Sequence, residues 1–264
     1  MKSKYDDIGI NYNETRSADP YITNQLLKKL RPKIKGLYLD IGCGTGNYTS
    51  VFQKKGYEFI GIDPSERMLK EAKTKNSNIT WKLGQAENIP ILNESVNGII
   101  GSLTMHHWND LNNSFLELNR VLKPDGLIVI FTSTPRQMKG YWLNHYFPKM
   151  LGDSMLQMPT LEAVKNALLN AKFFNIETEP YFVKPDLEDL FLYCGKQNPK
   201  LYLKSEIRHG ISSFSSLANK DEVEKGLINL EKDIESNNIN EIIKSYENDL
   251  GDYLFITAKK VKYP

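Results

Sequence analysis

Apolar residues along the chain follow two rhythms. Short unbroken runs, LYLDI (37–41), YEFIGID (57–63), NITWKL (78–83), VNGIIGSL (96–103) and LIVIF (127–131), have the form of strands buried on both faces of a parallel sheet. Between them, Tyr48, Val51 and Phe52, then Met68, Leu69 and Ala72, then Leu111, Phe115, Leu118 and Leu122 recur at helical spacing. Ahead of the first strand, Asp19-Pro20 offers a helix cap and first turn, Ile22, Leu26, Leu27 and Leu30 follow on one face, and Arg31-Pro32 ends the run. Lys123-Pro124-Asp125-Gly126 reads as a turn before the fifth strand. Strands alternating with helix-length segments imply right-handed crossovers and an α/β sheet covered on both sides, with ligands bound beyond the carboxyl ends of the strands.

The rhythm breaks after residue 131. Residues 134–159 are rich in aromatics and methionine without clear periodicity, and read as an insertion. Thr160 caps an expected helix through Leu161, Val164 and Leu168, and KFFNIETEPYFV (172–183) reads as another strand, so 160–183 returns to the core. Val223, Leu227, Leu230 and Ile234, then Ile239, Ile242, Ile243, Tyr246 and Leu250, repeat at helical spacing. DYLFITAKK (252–260) is strand-like, which leaves 184–250 as a helical cap insertion of roughly 65 residues before a final core strand in 251–264.

Composition narrows the classes of function. A chain of 264 residues with 40% hydrophobic positions can bury a generous core. Its net charge of +2 lacks the basic excess of a phosphate-backbone binder, so nucleic acid is disfavoured as a partner. Two cysteines are too few for a disulfide framework or a cysteine-based zinc site, and no metal is expected. With neither a signal-like segment nor an apolar stretch of about 18 residues, a soluble cytoplasmic protein is expected.

The sharpest chemistry lies in LDIGCGTG (39–46), where Gly42, Gly44 and Gly46 follow the first strand and let a ligand approach bare main chain. Asn47 occupies the position where a dinucleotide fingerprint wants glycine, and the Gly-Lys-Ser/Thr end of a P-loop is missing. A nucleoside without a diphosphate fits better, and Asp63, closing the second strand, is placed to accept two ribose hydroxyls.

On these residues the chain resembles the class I S-adenosylmethionine-dependent methyltransferases, in the small-molecule branch related to ubiquinone-biosynthesis enzymes. LDIGCGTG is similar to that family's first motif, GIDPSERML to its second, GQAENIPILNESVNGIIGSLTMHHW to its third and fourth, and ELNRVLKPDGLIVI to its fifth. The resemblance implies a Rossmann-like doubly wound seven-stranded sheet, mostly parallel with the last strand antiparallel. It makes 37–133 the cofactor-binding half and 1–36 a tail and helix closing over the cofactor. It further implies that Asp40, Gly42, Gly44 and Gly46 line the methionine part of S-adenosylmethionine, Asp63 holds the ribose, Gln85 and Ala86 flank the adenine, and Ser102 and Leu103 sit at the amino acid end. Gln85 stands where the family usually has an acidic residue. Tyr12 and Arg16 resemble the closing tail, Arg16 as a partner for the cofactor carboxylate.

Methyl transfer needs a general base only when the acceptor must lose a proton. His106, following the fourth strand, is the expected base; His107, Tyr141, Trp142, His145 and Tyr146 are the expected substrate-pocket residues. Adjacent histidines do not easily face one pocket together, and the aromatic cluster serves equally as cap core. A peptide or RNA acceptor, a nicotinamide-dependent oxidoreductase and a silent cofactor-binding protein remain open alternatives, and so does the oligomeric state.

Overall fold

The computed structural model describes residues 15–261. Tyr12 lies outside them. Helix α1 (Pro20–Leu30) starts where Asp19 Oδ1 accepts the Ile22 N–H at 2.8 Å, and stops where Arg31 turns into the left-handed region. Then come β1 (Leu37–Ile41), α2 (Asn47–Lys54), β2 (Glu58–Asp63), α3 (Glu66–Lys75), β3 (Thr80–Leu83), β4 (Val96–Ser102), a 3-10 turn (Met105–His107) and α4 (Leu111–Val121). Strand β5 (Leu122–Thr132) begins earlier than LIVIF: the Lys123–Gly126 turn is a bulge within the strand, with Leu122 opposite Val96 and Leu127 opposite Gly98.

The seven strands run in the order β3-β2-β1-β4-β5-β7-β6. All neighbours are parallel except β7 (Tyr253–Lys260), which runs antiparallel to both β5 and β6 (Phe173–Tyr181), as the doubly wound reading expects. The chain leaves β1 toward β3 and returns to β4 on the other side of β1. That reversal puts a crevice at the carboxyl ends of β1 and β4, where such sheets bind ligands.

Both faces of the central strands β1, β2 and β4 are buried, the physical reason they are apolar runs, whereas the edge strands β3 and β6 are largely exposed. Leu39, Ile41, Ile99, Ile128 and Ile130 pack on Phe115 and Leu118 of α4 and on Val164 and Leu168 of α7 (Leu161–Asn170). Tyr38, Ile100, Val129 and Phe131 face α1 and a second, aromatic-rich cluster.

Residues 134–159 fold as α5 (Pro135–Met138), a 3-10 turn (Trp142–His145) and α6 (Pro148–Gln157). Between β6 and β7 lie a 3-10 turn (Pro199–Leu203) and helices α8 (Ser205–His209), α9 (Ser212–Ser216), α10 (Lys220–Glu235) and α11 (Ile239–Ser245). Residues 184–198 contain no regular helix, and α11 ends at Ser245, short of the expected Leu250. The two segments share one aromatic core: Tyr141 stacks on Tyr193 at 3.9 Å, Trp142 meets Tyr202 edge-on, and Phe147 meets Phe214 the same way. Residues 134–159 therefore lack one-sided periodicity because they are covered from several directions. Among the described residues no helix is long and apolar enough to cross a membrane.

Candidate active site

Three strand-end loops converge at the crevice. After β1, Gly42, Gly44 and Gly46 all take positive φ, at 70°, 54° and 72°. At Gly42 a Cβ would overlap the Thr104 side chain, and at Gly46 it would overlap Trp81, so two of the three glycines are required by close packing as well as by backbone. Asp63, ending β2, accepts the Gly44 N–H through Oδ2 at 2.8 Å and the Ser65 N–H through Oδ1 at 2.9 Å. One carboxylate thus holds the glycine loop in place. After β4, Leu103 adopts φ 52°, a strained value for a leucine, and swings the chain into the 3-10 turn that carries the histidines.

These loops line one end of a cavity of about 380 Å³. Gly42, Gly44, Asp63, Gln85, Ala86, Ser102 and Leu103 all border it, together with Pro64 and Met68. A recess of about 50 Å³ opens beside it, bordered by Arg16, Asp40, Asp189, Ser102 and the glycine loop. Gly46 borders neither space; it caps α2 against Trp81.

The recess is electrostatically mixed. Arg16 forms an ion pair with buried Asp189, and the Tyr48 hydroxyl donates to the same carboxylate at 3.1 Å. Asn47 Nδ2 donates to the Arg16 carbonyl, and the Leu190 N–H donates to the Thr15 carbonyl, so residues 15–16 are tied both to the glycine loop's helix and to the segment after β6. Burial pushes the Asp40 carboxyl up from 3.8 to about 7, against the stabilising donation of the Thr49 hydroxyl and with some help from the Asp63 charge. Ser102 Oγ is buried and without a hydrogen-bond partner, and it borders both spaces.

At the far end of the cavity stand Met138, Tyr141, Ser154, Met158, Phe191, Leu217 and Tyr253. His106 and His107 both border it, contrary to the expectation that adjacent histidines diverge: the 3-10 turn brings their rings together, centroids 3.8 Å apart and tilted at 49°. Of the expected substrate-pocket residues, Tyr141 and His107 reach the cavity and three do not. Trp142 is fully buried and donates its indole N–H to the Lys196 carbonyl; the Tyr146 hydroxyl donates to Asp233; His145 is exposed against the Tyr146 ring. The aromatic surfaces of Trp142 and Tyr146 are spent on packing. Met68 borders the cavity although its spacing marks it only as core, and Trp108, after the histidines, borders it too. Among the described residues no group of three or more His, Cys, Asp or Glu is arranged to hold a metal ion.

A doubly wound sheet with a glycine loop and an acidic residue at its switch point defines a nucleoside-binding α/β protein, and the comparisons narrow it further. Residues 39–130 match the methyltransferase domain family. A solved structure described as a putative methyltransferase from an antibiotic biosynthesis pathway of Anabaena variabilis is 36% identical, with a TM-score of 0.82, covering 92% of this chain and 98% of that one. The ubiquinone/menaquinone biosynthesis C-methyltransferase of Campylobacter jejuni is 27% identical over 57% of this chain and 74% of its own length. The malonyl-[acyl-carrier protein] O-methyltransferase of Hamiltonella defensa is 28% identical over 49% of this chain, and the chain spans 50% of that relative's length. The chain belongs to the class I S-adenosylmethionine-dependent methyltransferases.

Proposed function

We propose that this protein transfers the methyl group of S-adenosylmethionine to a small, neutral, apolar or aromatic acceptor enclosed by the 134–159 insertion and the helical cap of 184–250. One observation carries this reading. A single cavity runs from Gly42, Gly44 and Asp63 to a wall of Met138, Met158, Phe191 and Leu217, and the residues bordering it from Ser133 to Met158, from Phe191 to Leu217 and at Tyr253 include no Lys, Arg, Asp or Glu.

The residues at the crevice suit the cofactor. Asp63 borders the cavity where a ribose diol would meet it, Gln85 and Ala86 flank the place for adenine, and Arg16 and Asp40 border the recess that would take the cofactor's carboxylate and ammonium. Ser102 Oγ, buried without a partner, is satisfied by a polar ligand there.

Bound S-adenosylmethionine supplies an activated methyl group on a sulfonium. The chain's own task is to align an acceptor atom with it and keep water out. The Leu103 turn and the glycine loop orient one reactant, and the apolar wall holds the other. Where the acceptor is a phenol, an alcohol or a carbon acid, His106 takes the proton as the new bond forms, with the His107 ring tilted against it.

The test is to incubate the protein with S-adenosylmethionine labelled in its methyl group and with separate small-molecule, peptide and RNA fractions of a cell extract. Label in solvent-extractable small molecules is expected. Label in RNA or peptide instead contradicts the enclosed neutral pocket.

A further inference from the structure

Helical serines usually satisfy their hydroxyls by donating back to the carbonyl of the preceding turn. A near neighbour does so: Ser216 Oγ donates to the Ser212 carbonyl, while Ser215 Oγ donates to the His209 carbonyl at the end of α8. Ser154 on α6 and Ser213 on α9 do not. They hydrogen-bond each other at 2.8 Å across 59 residues of sequence, at 5% and 7% exposure, and both border the cavity.

Two hydroxyls carry two protons, and the bond between them uses one. Among the described residues no protein acceptor takes the other. Ile211, Leu217, Met158 and Phe191, which border the same cavity, offer a hydroxyl nothing; among the described residues neither Gln157 nor Ser212, the polar residues beside the pair at that border, hydrogen-bonds to it, and a buried donor left unsatisfied is costly. The pair also joins the insertion after β5 to the helices before β7, the two segments that form the acceptor end, and neither serine belongs to a strand-end loop of the cofactor end.

We propose that the Ser154–Ser213 pair is the polar anchor of the acceptor pocket, donating a hydrogen bond to an oxygen of the substrate. The substrate is then an otherwise apolar molecule that bears a carbonyl, hydroxyl or ether oxygen in addition to the atom that is methylated. This inference rests on the methyl-transfer reading and adds to it the recognition group that an apolar wall alone lacks.

The test uses the full chain and two probes of nearly equal shape: 2-acetylnaphthalene, which accepts a hydrogen bond, and 2-isopropylnaphthalene, which does not. Dissociation constants are measured by ligand-observed NMR with and without S-adenosylhomocysteine, on the wild type, Ser154→Ala, Ser213→Ala and the double variant. On the wild type the ketone should bind about three- to tenfold more tightly than the hydrocarbon, the range expected of one neutral hydrogen bond. The double variant should bind the two probes equally, each single variant should keep a ketone preference no larger than the wild type's, and all should still bind S-adenosylhomocysteine as the wild type does. Equal binding of the two probes by the wild type, a ketone preference that survives the double substitution, or no binding of either probe overturns the proposal. Because the wild-type comparison needs no substitution, a variant that fails to fold does not rescue it. Failure of the wild type to bind S-adenosylhomocysteine strikes the methyl-transfer reading itself, and the probe measurements made without that ligand still judge the serine pair.

Discussion

Asp40→Asn isolates the energetic consequence of burying an acid beside the glycine loop. Asp40 is 3% exposed, its carboxyl is pushed from 3.8 to about 7, and the Thr49 hydroxyl donates to it. Below pH 3.8 the folded and unfolded chains both hold the proton. Between there and about 7 only the folded chain does, so every rise in pH through that window costs stability; above about 7 the loss is constant. At about 1.36 kcal/mol per pH unit, the gap of about three units makes the total near 4 kcal/mol. Asparagine resembles the protonated acid in shape and can both donate and accept toward Thr49, so the variant lacks this titration. Urea unfolding at pH 4, 6 and 8 should therefore show the variant gaining on the wild type as pH rises, by about 4 kcal/mol between the extremes. Cofactor affinity of the wild type should rise over pH 6 to 8, because an ammonium placed against Asp40 favours its ionised form, and that rise should vanish in Asp40→Asn. A stability difference that stays constant with pH refutes the reasoning, since an acid ionised throughout the window has no such penalty.

Three further outcomes follow from the same geometry. Gly42→Ala adds a Cβ that overlaps Thr104 at φ 70°, and should lower stability by about 1–3 kcal/mol in thermal melts and abolish S-adenosylhomocysteine binding by calorimetry. Lys196→Met leaves Asp252, whose carboxyl burial already pushes upward, without its cation; stability at pH 8 should fall by about 3–5 kcal/mol, and the deficit should shrink as acid protonates Asp252. His106→Asn should lower kcat about 10²- to 10⁴-fold on an acceptor that must lose a proton while leaving the S-adenosylhomocysteine dissociation constant unchanged.

What could be read in the sequence was what depends on local order. LYLDI and LIVIF announce parallel strands because both faces of each are buried, and Asp19 and Thr160 announce helix starts because their side chains accept from the first turn. The glycine loop and Asp63 are legible for the same reason: a positive φ and an acid at a strand end leave marks on residue type. Distant pairings leave none. Nothing near Tyr141 says that Tyr193 will stack on it, nothing near Arg16 names Asp189, and serines 154 and 213 look like any helical serine until α6 and α9 meet. Trp142 and Tyr146 show the converse, since aromatic residues beside a pocket have the composition of a binding wall even when their rings are used in the core. The paired histidines depend on a 3-10 turn whose handed step, following a strained Leu103, is not written in their own identity.

The account stands most directly on the cofactor crevice, and calorimetric titration with S-adenosylhomocysteine tests it. The wild type should bind, and Asp63→Ala, which removes the acceptor for the ribose and for the Gly44 and Ser65 N–H groups, should weaken binding by about 1.5–3 kcal/mol, roughly ten- to hundredfold. No heat at millimolar ligand, or equal affinity in the wild type and Asp63→Ala, would contradict it.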